Sequence, residues 1–145
     1  MQRVIIGAML AAATLMADVT VGADAGKYKA GDTTLYAEQL KVGYGYRDFN
    51  FYVYGQHDTL KEVLSVSDTS CGAGIDYSYK FVTVGTSYGQ GKVLGWKYSD
   101  ATAKLGLTYT IDFVTLEAGV KAKRMEIDNS HDDFIGGYAG ISGRF

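Results

Sequence analysis

The sequence predicts an all-β protein, an eight-stranded antiparallel up-and-down transmembrane β-barrel. Eight segments alternate between apolar and polar residues, which is the period of a strand with two different faces. Four of the six phenylalanines recur at one fixed spacing, which indicates a repeated unit. The chain has 19 Gly, 12 Tyr and no Pro, a composition that suits strands because proline interrupts the hydrogen bonding of a sheet.

The phenylalanine spacing divides the chain into equal parts. Phe49, Phe81, Phe113 and Phe145 are 32 residues apart, and each follows a charged residue. Counting back 32 residues from Phe49 leads to position 17, so the chain after that position consists of four units. A period of this length indicates one supersecondary unit repeated along the chain.

Each unit contains two alternating segments around a polar connection. Connections at 47–48, 80–81 and 112–113 are tight, whereas those inside the units are predicted as loops of about six to fourteen residues, among them 57–70 and 90–101. Both chain ends then lie on the tight-turn rim, where the last strand pairs with the first and closes the sheet. In chain order the segments are DVTVGADAG, LYAEQLKVGYGY, FNFYVYGQ, CGAGIDYSY, VTVGTSYG, TAKLGLTYTI, VTLEAGVKAKR and FIGGYAGISGRF.

The N-terminal segment differs from the rest of the chain. Residues 1–17 carry one positive charge at Arg3, an apolar run from Val4 to Met16, and the small residue Ala17. This is the layout of a secretory signal peptide, and the run is too short to span a bilayer comfortably. We predict cleavage between Ala17 and Ala25, with Ala17 favoured, and a barrel over residues 18–145.

Glycine distribution predicts which strand face points inward. Most strand glycines share a face with the charged residues, whereas only Gly55, Gly137 and Gly143 lie on the apolar face. The interior of an eight-stranded barrel is just wide enough for side chains, so glycines there make room for long neighbours. The polar face is therefore predicted to line the lumen and the apolar face to contact lipid. A soluble lipocalin-like carrier, with the apolar face inside, is the alternative.

Two groups of side chains follow from this facing. Opposite charges in a narrow lumen are expected to pair and to form a plug, with a narrow passive pore for small solutes as the alternative. Amphipathic rings near one rim are expected at the membrane–water interface. The predicted lumen charges are Asp76, Glu117, Lys41, Lys104 and Lys121, and the predicted interface aromatics are Tyr44, Tyr46, Tyr77, Tyr79, Tyr109, Phe113 and Phe145.

The residues after Ala17 resemble the small eight-stranded outer-membrane β-barrels of the OmpX type and the transmembrane domain of the OmpA type. The signal peptide, the eight alternating segments and the aromatic C-terminal strand GYAGISGRF carry this resemblance. It implies short periplasmic turns, longer extracellular loops, contact with outer-membrane lipid and lipopolysaccharide, and recognition of Phe145 by the barrel-assembly machinery. Gly143 departs from the family pattern, in which a larger hydrophobic residue is common.

Catalytic and metal chemistry have little support in the sequence. His57 and His131 lie in predicted loops, without the His-x-Ser strand pattern expected of barrels that modify lipid A. The acidic segment Glu126–Asp133 does not match the spacing of an EF-hand. Cys71 is the only cysteine, and a net charge of −2 argues against nucleic acid as a partner. We therefore expect a monomer with no cofactor and no enzymatic activity.

The remaining functional candidates lie in the two long predicted loops. Apolar residues in exposed loops can mark a surface that binds a partner, or they can belong to strands that protrude above the membrane. A structural or adhesion-like surface-interaction role at 57–70 and 90–101 is therefore predicted. The apolar residues concerned are Leu60, Val63, Leu64, Val66, Val93, Leu94 and Trp96.

Overall fold

The computed structural model describes residues 18–61 and 65–145. The predicted signal peptide, and Val63 and Leu64 of the predicted interaction surface, lie outside the described residues. Within the described ranges, no helix is long and apolar enough to cross a membrane.

Eight antiparallel strands form one closed barrel in which each strand pairs with its sequence neighbours. The last strand pairs with the first, from Thr20 opposite Arg144 to Lys29 opposite Ile135. The predicted fold class, strand number and strand order are confirmed. The strands are β1 (Val19–Ala30), β2 (Thr33–Tyr46), β3 (Phe49–Lys61), β4 (Ser65–Tyr79), β5 (Val82–Val93), β6 (Trp96–Ile111), β7 (Val114–Ile127) and β8 (Ser130–Arg144).

The start of β1 and the C-terminal residue Phe145 lie at one end of the barrel, which we call the terminal rim. It carries the three tight turns at 47–48, 80–81 and 112–113, as predicted. Backbone hydrogen bonds close the barrel there, from the Val19 amide to the Phe145 carbonyl at 3.0 Å and from the Phe145 amide to the Val19 carbonyl at 2.9 Å. The C-terminal residue is therefore held in the sheet.

The opposite end, the distal rim, differs from the prediction. Instead of long loops, the strands continue to two-residue turns at 31–32, 94–95 and 128–129, and the fourth connection spans 62–64. The segments 57–70 and 90–101, predicted as loops, are therefore mostly strand. Their alternation is less obvious in the sequence because the apolar face changes from the outside to the inside along the same strand.

Burial shows where that change occurs. Near the terminal rim and in the middle of the barrel, outward residues such as Leu40, Leu105 and Ile141 are apolar and exposed. This apolar band ends at one height around the barrel, and outward positions beyond it are mainly polar. The last band residues of the eight strands are Ala25, Leu40, Gly55, Cys71, Tyr88, Ala101, Ala122 and Ile135, and the first residues beyond them are Lys27, Glu38, His57, Thr69, Gln90, Ser99, Arg124 and Asp133.

The facing of the band confirms that apolar side chains point outward and charged side chains inward across the membrane-spanning part. A soluble carrier with an apolar interior is excluded at this height. Beyond the band the interior of the barrel contains a hydrophobic cluster, which we call the distal core. Its main members are Tyr28, Leu35, Val93, Tyr98, Met125 and Phe134, with Leu60, Val66 and Ile127 packed against them.

Candidate functional site

Inward glycines create the space that the lumen side chains occupy. A Cβ atom on Gly74 would lie 2.5 Å from the Tyr52 ring, and one on Gly106 would lie 2.5 Å from the Tyr138 hydroxyl. These separations are too short for real side chains. The glycine-rich face predicted from the sequence is thus the surface against which tyrosines from other strands pack.

The membrane-spanning lumen contains a network that we call the lower ion cluster: Asp24, Lys41, Asp76, Lys104, Glu117 and Lys121. Lys104 Nζ lies 2.8 Å from Asp76 Oδ2 and 2.7 Å from Glu117 Oε1. Asp24 accepts both Lys41 Nζ at 2.8 Å and Lys121 Nζ at 2.6 Å. Three lysines therefore neutralise three carboxylates within the lower ion cluster.

Tyr138 connects the two halves of this cluster. Its hydroxyl donates a short hydrogen bond to Glu117 Oε1. The Lys121 and Lys104 ammonium groups lie 4.5 Å and 5.8 Å from the centre of the Tyr138 ring, within the range of cation–π attraction. The ring thus fills the space between the two ion pairs.

A second network, the upper ion cluster, lies further from the terminal rim. Lys123 Nζ is 2.8 Å from Asp58 Oδ2 and 2.9 Å from Asp100 Oδ2, and all three side chains are almost completely buried. The Gln56 amide donates to Asp58, and the Tyr54 hydroxyl donates to Asp100 at 3.3 Å. Because buried charges require partners, this network constrains three strands at once.

The structure places all five predicted lumen charges in the lower ion cluster. Asp24 and Lys123 also point into the lumen, whereas Asp58 and Asp100 were missed because both lay in predicted loops. Their parity was the available signal, since Asp58 continues the inward series of Tyr54 and Gln56.

Cavities show how completely the lumen is filled. Among the described residues, the cavity at the level of Gln39, Gln56 and Lys121 is only about 10 Å³, the space of a single water molecule. Below it, a polar vestibule of about 580 Å³ opens at the terminal rim, and Asp76 and Glu117 lie at its inner end. The lumen is therefore open at one end and filled in the middle.

The seven predicted interface aromatics lie on the outer face near the terminal rim, and all are exposed. Phe113 and Phe145 pack together with their ring centres 5.6 Å apart. Phe49, Phe51 and Phe81 extend the same girdle. An aromatic girdle at the edge of an apolar band is the arrangement of a barrel that sits in a bilayer.

Solved structures provide an independent comparison of the fold. No protein-family model and no curated protein sequence matches the chain. The neisserial surface protein A, NspA, shares 18% identity at a TM-score of 0.65, over 88% of this chain and 96% of that one. The N-terminal β-barrel domain of OprF from Pseudomonas aeruginosa shares 14% identity at a TM-score of 0.51, over 87% and 97% of the two chains. Ail, the attachment invasion locus protein of Yersinia pestis, shares 14% identity at a TM-score of 0.50, over 88% and 95%.

The chain has the small outer-membrane β-barrel fold. In a bilayer every backbone polar group needs an internal partner, and a closed barrel provides one for each strand edge. The fold and the apolar band together place this barrel in a bacterial outer membrane. At sequence identities this low, the comparison shows the fold only, and the function has to be inferred from the side chains of this chain.

The residues considered for chemistry are distributed over the outer surface. His57 lies on β3 beside Glu38 and Thr69, and His131 lies opposite Glu126 near the β7–β8 turn. Cys71 is exposed at the upper edge of the apolar band. Within residues 18–61 and 65–145, no group of three His, Cys, Asp or Glu side chains is arranged to hold a metal ion.

Two acidic residues beyond the band have shifted pKa values for opposite reasons. The exposed Asp133 carboxylate is paired with Arg124 at 2.6 Å, and this hydrogen bond lowers the pKa of Asp133. Asp68 points into the distal core and is 6% exposed, and the Tyr98 hydroxyl is its hydrogen-bonding neighbour there. Burial raises the pKa of Asp68, and the Asp58 and Asp100 carboxylates add to this effect.

Proposed function

We propose that this chain is a non-enzymatic surface-interaction protein of the outer membrane, which contacts its partner through the tip of the β5–β6 hairpin. The single observation that carries the proposal is the exposure of two large apolar side chains at this tip. Leu94 is 79% exposed and Trp96 is 60% exposed, although the distal core lies immediately behind them. Large exposed apolar side chains that could have been buried are typical of a binding surface.

The backbone at the tip supports this interpretation. Leu94 has a φ of 49° and Gly95 a φ of 85°, so both turn residues are in the left-handed region. Glycine and asparagine adopt this conformation easily, whereas leucine does so at a cost. A turn selected for stability alone would favour Asn or Asp at position 94. The presence of leucine favours a role for its side chain outside the fold.

The position of the tip also supports the proposal. Strand β1 begins and strand β8 ends at the terminal rim, so insertion of the barrel from the periplasm requires only the distal hairpins to cross the bilayer. The distal rim then faces the exterior. Ala101 ends the apolar band on β6, and the six residues from there to Gly95 extend roughly 15 Å beyond it in a tilted strand. A rigid sheet thus presents Leu94 and Trp96 well above the lipid.

Two structures with the same fold belong to surface proteins by their descriptions, a neisserial surface protein and an attachment invasion locus protein. This agrees with a surface-interaction role for the present chain. The predicted surface at 57–70 and 90–101 narrows accordingly to the β5–β6 tip, because Leu60, Val66 and Val93 pack inward against the distal core.

The test uses variants that suit the local backbone. Leu94→Asn fits a left-handed turn and Trp96→Thr fits a strand, so the double variant is expected to fold normally. Cells that display the wild-type barrel are compared with cells that display the double variant for binding to immobilised extracellular-matrix and serum proteins. Phe81→Ser is the matched control, since Phe81 is also a large exposed side chain at a tight turn but lies on the terminal rim.

We expect the double variant to lose binding to the immobilised protein that the wild type binds. The Phe81→Ser variant should retain this binding. Surface display is measured in parallel by heat-dependent gel mobility. A structural role would give a different result. Cells without the barrel would become sensitive to detergent, and the double variant would restore their resistance fully. If, in addition, the double variant and the wild type bind the immobilised proteins equally, the proposal is wrong.

A further inference from the structure

A groove of about 700 Å³ lies on the outer face of the barrel, from the edge of the apolar band outward, against the β5–β6 hairpin. Small side chains on β6 create this groove. Ser99 lies between Gln90 on β5 and Glu126 on β7 in the register. One row nearer the membrane, the small Ala101 lies beside the exposed Tyr88. Larger side chains on both sides of β6 therefore form the walls of this depression, which we call the hairpin groove.

Two lysines form the upper part of the wall on the β5–β6 side. Lys92 and Lys97 are directly opposite each other in the register, and both are exposed and line the hairpin groove. Like charges in directly opposite positions on neighbouring strands destabilise a sheet. A negatively charged partner would remove this repulsion, so the lysine pair favours an anionic ligand.

Carboxylates of the chain do not neutralise the lysine pair. Within residues 18–61 and 65–145, neither Lys92 nor Lys97 forms an ion pair, whereas every lysine of the two lumen clusters does. Glu126 and Asp128 line the opposite side of the hairpin groove. The hairpin groove is therefore basic on its β5–β6 side and acidic on its β7 side.

Apolar surface adjoins the lysine pair at both ends. Tyr88, at the end of the hairpin groove nearer the membrane, is 55% exposed. The exposed Leu94 and Trp96 lie between the two lysines along the chain, at the tip of the hairpin. A ligand that reaches the lysines therefore also meets the apolar tip. A peptide can supply carboxylates and apolar side chains together, whereas an acidic polysaccharide or a phosphate supplies charge without them.

We propose that the hairpin groove binds an acidic segment of an extracellular protein, with carboxylates against Lys92 and Lys97 and an apolar side chain against the β5–β6 tip. The row of Gln90 and Ser99 separates the lysines from the apolar band, which favours a partner outside the membrane over a lipid headgroup. This inference rests on the surface-interaction role proposed above and specifies the chemistry of the partner.

The experiment measures binding of fluorescent synthetic peptides by the refolded barrel in neutral detergent micelles, with fluorescence anisotropy as the readout. In the acidic peptide, glutamates flank a central leucine–phenylalanine pair, and the neutral peptide has glutamine in place of every glutamate. The test variant is Lys92→Gln/Lys97→Gln. Its matched control is Lys29→Gln/Lys61→Gln, which removes two exposed lysines that share one row on β1 and β3. Heat-dependent gel mobility verifies that each variant folds.

We expect the wild type to bind the acidic peptide more tightly than the neutral one. The test variant should bind the acidic peptide about tenfold more weakly than the control variant does, given the usual contribution of two exposed ion pairs. Raising sodium chloride to about 0.5 M should weaken binding by the wild type, because salt screens exposed charges. Equal binding of the two peptides by the wild type, or equal losses in both double variants, would overturn the proposal.

A second pair of variants tests the position of the ligand with the opposite sign. Glu126→Gln removes a negative charge from the hairpin groove and should strengthen binding of the acidic peptide severalfold. Glu38→Gln removes an exposed carboxylate on β2 and should leave binding unchanged. Equal effects of the two variants would mean that the peptide responds to the overall charge of the barrel and not to the hairpin groove.

A third peptide, with glycines in place of leucine and phenylalanine, tests the class of ligand. It should bind the wild type more weakly than the acidic peptide does. Equal binding would mean that charge alone is recognised, as for an acidic polysaccharide, and would contradict the choice of a protein segment. The role and the partner chemistry fail separately. Loss of cell binding in Leu94→Asn/Trp96→Thr, together with no preference for the acidic peptide, would refute only the present inference.

Discussion

Lys104 on β6 joins Asp76 on β4 by passing over Gly85 on the strand between them. The Lys104–Asp76 distance is 2.8 Å, and a Cβ atom on Gly85 would lie 2.9 Å from Lys104 Cε and even closer to Asp76. The ion pair therefore depends on a missing side chain in the intervening strand. Lys104 also reaches Glu117 on β7, so one ammonium group connects three strands.

Replacing Lys104 with methionine should destabilise the barrel by about 3–5 kcal/mol, because the Asp76 and Glu117 carboxylates would remain buried without their partner. The free energy of unfolding, measured by urea titration of the refolded barrel in lipid vesicles, checks this expectation. The triple variant Lys104→Met/Asp76→Asn/Glu117→Gln is the control. It should recover most of the loss, and a triple variant no more stable than the single variant would contradict the assignment of the effect to unpaired charge.

The lumen should not conduct ions. Two ion clusters and the tyrosine rings around them reduce the central cavity to about 10 Å³. A hydrated ion requires a continuous water path, which a cavity of this size does not provide. Planar-bilayer recordings of the purified barrel should stay at the background level. Reproducible single-channel steps from wild-type protein would instead support the narrow pore that the sequence left open as an alternative.

The strand pattern made the barrel predictable because lipid imposes one rule on all eight strands. Outward positions in the band are apolar with few exceptions, such as Thr86 on β5, so Val42, Val84 and Leu105 follow the same period as their neighbours. The lumen charges were predictable for the same reason, because charged side chains within the membrane-spanning part are confined to the inward-facing positions.

The distal third was harder to predict because water replaces lipid outside it. Beyond Leu40 or Ala101 the rule reverses, and apolar residues such as Leu35 and Tyr98 turn inward. An alternation whose apolar face changes partway along the strand resembles an irregular loop in the sequence. Pairings such as that of Lys123 with Asp58, 65 residues apart, depend on the register of several strands and have no local signal.

The assignment of outward and inward faces can be tested by one lysine on each side of the barrel wall, outward on β5 and inward on β6. Val84 is outward and exposed within the band, so Val84→Lys should cost about 2–4 kcal/mol near the bilayer midplane. Thr108→Lys is the matched control, because Thr108 lines the vestibule and pairs with Glu117 in the register. Urea titration in vesicles compares the two. A larger loss from Thr108→Lys than from Val84→Lys would mean that the assigned faces are reversed.

Asp68 should make the stability of the barrel depend on pH. Since burial raises the pKa of Asp68 in the folded state, the folded carboxyl binds its proton more tightly than the unfolded one. Stability is then highest below the unfolded pKa of about 4 and falls as the pH rises through the folded pKa. Charges that face Asp68 from other strands are Asp58, Asp100 and Lys123.

Replacing Asp68 with asparagine should remove this dependence. At neutral pH the variant should be more stable than the wild type, because asparagine is neutral and removes the buried negative charge while it can still accept from Tyr98. At pH 4 the two proteins should have similar stability. Urea titrations at both pH values check the prediction. A gain of equal size at both pH values would show that ionisation of Asp68 is not the cause.

Phe145 should matter more for assembly in cells than for the stability of the finished barrel. The two hydrogen bonds between Phe145 and Val19 involve backbone atoms only, so Phe145→Ser preserves them and loses chiefly the ring contact with Phe113. That contact contributes about 0.5–1.5 kcal/mol. Phe113→Ser removes the same contact and leaves the terminal residue unchanged, which makes it the matched control.

If the assembly machinery recognises the terminal aromatic residue, Phe145→Ser should lower the amount of folded barrel in cell membranes far more than Phe113→Ser does. The two refolded proteins should nevertheless unfold at similar urea concentrations. Equal amounts of both variants in cell membranes would argue against recognition through Phe145.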